Sequence, residues 1–180
     1  MGKAPEILNA IEAAFHQKDF ESRDSIVRMS QSGSYVFEWT DPEISVKGDL
    51  SHSDSIGFLL NSVEISKNVR ESVEMSGYLK EAAERIEKRI NYLMEPLKII
   101  ELDSTTNAVQ LRSEKPELQD GHLSYFEIVL KAGKWFGHRN HVSLHRFTHK
   151  QQDEGNRGTI SFPVTKKQFQ KLLDDLIEIL

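Results

Sequence analysis

The chain has no cysteine in its 180 residues. Disulfides, thiolate metal sites and a cysteine nucleophile are therefore excluded, and the composition fits a reducing compartment, so a cytoplasmic location is expected. Long apolar runs are missing too. The longest stretches are a few residues, against the roughly 20 that a spanning helix needs, so no membrane contact is expected. Glu6 and Glu12 interrupt the segment where a signal peptide would require an unbroken apolar region. There is no phosphate-cradling glycine loop, because Lys131-Ala132-Gly133-Lys134 lacks the first glycine and the following Ser or Thr. Serines are common, but none sits in a nucleophile-elbow context. These absences leave no catalytic signature, so the reading leans away from an enzyme and no cofactor is expected.

What remains is an ordinary globular composition, 38% hydrophobic and 28% charged, long enough for one good core or two small ones sharing an interface. Its formal charge of -5 argues against general attraction to nucleic acid, although a local patch can override a mean.

The clearest element is the C-terminal one. Ile160, Phe162 and Val164 alternate with Thr159, Ser161 and Pro163, the period of a half-buried strand. Thr165 followed by Gln168 matches a capping box, and Phe169, Leu172, Leu173, Leu176, Ile177 and Leu180 then form one helical stripe over 166–180. Asp174 and Asp175 fall on the polar side of that helix and read as solvating residues. At the other end, Pro5 opens a helix to about Gln17 with Ile7, Leu8, Ile11, Ala14 and Phe15 on one face.

Between Ser25 and Ile65 the period is two. Val27 and Met29, then Tyr35, Phe37 and Trp39, then Ile44 and Val46 alternate, separated by turn-prone 31–34 and Asp41-Pro42. Gly48 to Ser55, rich in Ser and Asp, reads as a longer exposed loop before a strand from Ile56 to Ile65. Ser62-Val63-Glu64-Ile65-Ser66 recurs almost unchanged as Ser72-Val73-Glu74-Met75-Ser76, which suits two arms of a hairpin turning at Lys67-Asn68, though a helix also fits the second copy. A helix over 78–94 follows, with Leu79, Ala83, Ile86, Ile90 and Leu93 on one face and Pro96 as its stop. Strands return at 97–102, 109–112, 125–130 and 142–148.

The fold class expected is therefore α+β, an antiparallel sheet with helices on one face. It divides into an N-terminal helix (1–20) and two strand-rich halves each ending in a helix (20–95 and 96–180), a repeat of pattern rather than of residues.

One window stands out for binding. Lys131 to Lys150 holds Lys131, Lys134, Arg139, Arg146 and Lys150 and no acid, with Trp135 and Phe136 among them. Cations beside exposed aromatics are what single-stranded DNA or RNA needs, since phosphates call for positive charge and unstacked bases for flat surfaces. The nucleic-acid-binding candidates are therefore Lys131, Lys134, Trp135, Arg139, Arg146 and Lys150. The competing reading of the same window is a polar hairpin with its aromatics turned inward. His138, His141, His145 and His149 share the window. Their spacing suits a helical ligand face, yet the segment reads as a strand in which only His145 and His149 share a side, and no carboxylate is at hand, so no metal is expected.

Gly158-Thr159-Ile160-Ser161-Phe162-Pro163-Val164-Thr165, running into the Phe169 to Ile177 stripe, resembles the closing strand and helix of the strand-strand-strand-strand-helix repeat in Pur-alpha-like and Whirly-like single-stranded nucleic acid binders. The resemblance covers about 23 residues, with the rest matched by element order alone. It implies that the sheet face opposite the helices contacts nucleic acid, through Lys131, Arg139, Arg146 and Trp135. A binding module of another class, meeting a protein partner or a second copy of itself through the uncovered sheet, fits the same pattern.

Overall fold

The computed structural model describes residues 2–18, 20–21, 25–68, 75–133, 139–150 and 155–180. In chain order these form α1 (Lys3–Gln17), β1 (Val27–Met29), β2 (Tyr35–Thr40), β3 (Ile44–Ser53), β4 (Gly57–Asn68), α2 (Met75–Arg89), β5 (Leu97–Asp103), β6 (Ala108–Ser113), β7 (Glu117–Gln119), β8 (His122–Lys131), β9 (Arg139–Lys150), β10 (Gly158–Thr159), β11 (Phe162–Thr165) and α3 (Lys166–Ile179). The architecture is α+β. The described strands make one antiparallel sheet in the order β1-β2-β3-β4-β9-β8-β6-β5, with β7 on β8, β10 on β9 and β11 on β4. Segments 20–95 and 96–180 thus share one sheet, joined where β4 runs antiparallel to β9 from Ser62↔His145 to Asn68↔Arg139.

The helices lie on the face whose strand positions form the continuous apolar core. Val63 and Ile65 of β4, Leu144 and Val142 of β9, and Ile128 and Leu130 of β8 are buried beneath them, while their alternate neighbours point the other way. α3 packs on β4 and β11 and α2 on β5, β6 and β8, with α1 against α3. Phe169 of α3 meets Phe37 edge-on at 5.9 Å and Phe58 at 5.1 Å, so one aromatic ties the last helix to two strands of the first segment. The capping box is formed: Gln168 N donates to Thr165 Oγ1 at 3.2 Å, and Thr165 N to Gln168 Oε1 at 2.9 Å.

Several expectations need correction. Gly48 to Ser53 is not a loop but the second half of β3, with Leu50 fully buried. Its Ser and Asp content reflects the helix-free face, where Asn61 Nδ2 donates to Asp49 Oδ1 and Ser51 Oγ to Asn61 Oδ1, both at 2.7 Å. The second arm of the 62–76 hairpin fails at its described end, since Met75 and Ser76 open α2 and both edges of β4 are already taken by β3 and β9; residues 69–74 lie outside the described residues. α2 stops at Arg89 rather than near Pro96, yet Ile90 and Leu93 stay buried beyond it. The closing strand is two pieces. β10 pairs with β9 and β11 with β4, so the chain changes partner at Ile160-Ser161. Asp175 is buried, not solvated, and accepts from Tyr92 Oη at 2.9 Å and Lys171 Nζ at 2.8 Å.

Candidate functional site

Alternation along β9 decides which basic-window residues can act together. Val142 and Leu144 face the helices, so Arg139, His141, Ser143, His145, Phe147 and His149 share the helix-free face. His141 therefore joins His145 and His149 on one side, contrary to the pairing expected from a strand beginning at Val142. Across the ladder on β8 stand Lys131 (opposite His141), Glu127 (opposite His145) and Tyr125 (opposite Phe147). On β4 the same face carries Ser66, Glu64 and Ser62.

The densest cluster centres on Glu127, which is 5% exposed although no helix covers it. Its Oε2 accepts from Gln110 Nε2 at 2.6 Å, Arg112 Nε at 2.9 Å and Arg157 Nη1 at 2.9 Å. Two guanidiniums against one carboxylate leave this cluster net positive. Both cations also lie over rings, Arg112 at 5.0 Å from Tyr125 and Arg157 at 4.2 Å from Phe147. His145 stacks on Phe147 at 5.7 Å, and His149 meets Tyr125 at 6.0 Å. Burial lowers the His145 imidazole below its usual range, with Glu64 and Glu127 pulling the other way; the same burial lowers His141, whose Nδ1 lies 3.0 Å from Ser66 Oγ. Both shifts favour the neutral imidazole. Among the described residues no group of three or more His, Asp or Glu is placed to hold a metal ion.

Comparison with protein-family models, curated proteins and solved structures gave no match to this chain.

The cations singled out by sequence do not share one surface. Lys131 and Arg139 lie on the helix-free face, and Arg139 Nε donates to Asn68 Oδ1 at 2.8 Å. Arg146 alternates onto the helix side, where its Nη2 bonds Glu95 Oε1 at 2.9 Å and Glu117, and its guanidinium lies 5.0 Å from the Phe126 ring. Lys150 is exposed at the far end of β9, in register with His122. Lys134 and Trp135, with Phe136 and His138, lie outside the described residues.

Arg112, Glu127 and Arg157, the centre of the cluster, escaped sequence reading. Arg112 and Glu127 could have been paired by their alternation against Leu111 and Ile128. Arg157 carried no local signal, because it reaches Glu127 from the turn before β10.

Proposed function

We propose that this protein is a non-enzymatic binding protein that takes single-stranded nucleic acid on the helix-free face of its sheet. The observation carrying this reading is the shared face of β8 and β9. It bears Lys131 and Arg139 toward one end, and at the other half-buried Phe147, His145 and His149 beside two stacked arginines. Cations and flat rings on adjacent strands meet the two demands of an unpaired strand, charge for phosphates and surfaces for bases. It is also the face to which the Pur-alpha-like and Whirly-like resemblance points. Arg146 and Lys150, on the other alternation, fall outside the proposed surface.

The competing reading, a protein partner or homodimer through the same face, is less well supported because the central positions there are Ser62, Glu64, Ser66, Ser143 and His141. A stable protein interface has a more apolar centre.

Titration with single-stranded DNA and RNA oligonucleotides at two salt concentrations tests the proposal. Binding should weaken steeply with salt, and replacing Lys131 and Arg139 by alanine should lower the slope of log affinity against log salt by about 1.4, the loss of two contacts. Arg146→Ala should leave that slope unchanged. No binding at low salt would remove the reading, and salt-insensitive self-association would put the dimer in its place.

A further inference from the structure

On the opposite side of the sheet lies a cavity of about 840 Å³, based on Phe58, Phe126, Phe162 and Val164. We propose that it binds a small amphipathic cation, an aromatic or aliphatic body carrying one amine or amidine. The volume is within the range of small-molecule sites, ~300–1,000 Å³, and three features of the lining point to such an occupant.

The first is the mouth. Ile56 and Met94, both lining residues, are 71% and 94% exposed. Met94 does so from a left-handed backbone, φ 71°, which a residue with a Cβ adopts at a cost. Two apolar lips standing in water around an apolar hollow gain burial once a hydrophobic body enters.

The second is charge. The lining carries Asp54, Glu95 and Glu117 against one guanidinium, Arg146, and one imidazole, His52, which lies near Asp54. Arg146 already serves both Glu95 and Glu117, so this inner trio is one positive charge short. An entering ammonium or amidinium supplies it, whereas a carboxylate or phosphate would add to the excess.

The third is an unsaturated ion pair. Among the described residues, Arg146 and Glu95 meet through Nη2 and Oε1 alone, while Arg146 Nε and Glu95 Oε2, both buried, have no hydrogen-bond partner there. A buried carboxylate oxygen without a donor is costly, and a small rotation of Glu95 toward an incoming N–H donor relieves it. Apolar base and lips, the acidic excess of the lining and the unserved Glu95 oxygen together favour an amphipathic cation over a neutral or anionic molecule; the unserved Arg146 Nε, a donor, does not add to that preference. The site is independent of the nucleic-acid surface, which lies across the sheet.

Three probes sharing one body test this: 4-phenylbutylamine, 4-phenylbutan-1-ol and 4-phenylbutanoic acid, titrated into the full chain by calorimetry, with amide chemical shifts locating the contact. The amine should bind most tightly and shift residues 93–95 and 162–165, the alcohol more weakly, and the acid least. Glu117→Gln, at a half-exposed position, should weaken the amine by about fivefold and leave the alcohol unchanged. Met94→Gly suits the left-handed backbone and should keep or raise stability, yet weaken amine and alcohol alike. Saturable binding by none of the three, equal affinity for all, preference for the acid, or amine binding that survives both substitutions would each overturn the proposal.

Discussion

Tyr92 Oη donates to Asp175 Oδ2 at 2.9 Å, joining the loop after α2 to the buried side of α3. The bond spans 83 residues of sequence and explains why a charged residue can sit at 8% exposure inside a helix stripe. Burial, reinforced by Asp175, pushes the Tyr92 phenol up, so it remains a donor well into the alkaline range.

Tyr92→Phe keeps the ring and removes only the donor to a buried carboxylate. A loss of about 1.5–3 kcal/mol is expected by urea denaturation, the size of a hydrogen bond to a charged group. A loss below roughly 0.5 kcal/mol would mean that Lys171 alone satisfies Asp175.

Phe169 is fully buried and touches rings on both β2 and β4. Phe169→Ala should cost about 3–5 kcal/mol, and Leu173→Ala on the same stripe about 2–5 kcal/mol. Guanidinium denaturation of the two variants checks whether α3 is docked as described, since a frayed helix would give far smaller changes.

Two glycines should respond in opposite directions to alanine. A Cβ on Gly57 would fall 2.1 Å from the Val164 carbonyl oxygen and 2.9 Å from Thr165 Cα, so the β4–β11 pair must part, costing more than ~2 kcal/mol. A Cβ on Gly77, inside α2, meets nothing within 4 Å, and alanine there should stabilise by about 0.5–1 kcal/mol through helix propensity. Thermal melts of the pair give the sign directly.

Acid should weaken the fold through its helix-free face. His141 and His145 are lowered by burial below the ordinary value of 6.5, despite the opposing pull of Glu64 on both. The unfolded chain therefore binds more protons than the folded one just below pH 6.5, and stability falls with pH from there, levelling off beneath the folded values. A His141→Gln, His145→Gln double variant should show a flatter stability profile between pH 7.5 and 5.5 in denaturant titrations, and an unchanged slope would assign the acid sensitivity elsewhere.

What the sequence determined by itself is whatever depends on neighbours a few residues away. The stripe from Phe169 to Ile177, the capping box at Thr165 and Gln168, and the alternation of Phe37 or Val63 each declare an element and its buried side, because helix and strand periods are local properties. The α+β class followed from their order. Polar alternation is less legible: Asp49 and Ser51 have the composition of a loop, and what marks them as strand is Asn61 bonding both from the next strand. The tertiary structure alone decided which residues meet. Arg146 shares its window with Lys131 and Arg139, but a strand sends it to the opposite side, to carboxylates 51 and 29 residues away at Glu95 and Glu117. Glu127 gathers Gln110, Arg112 and Arg157 because β6, β8 and the turn before β10 converge there. Strand order and register are set by the packing of distant segments, and no short window of sequence carries that information.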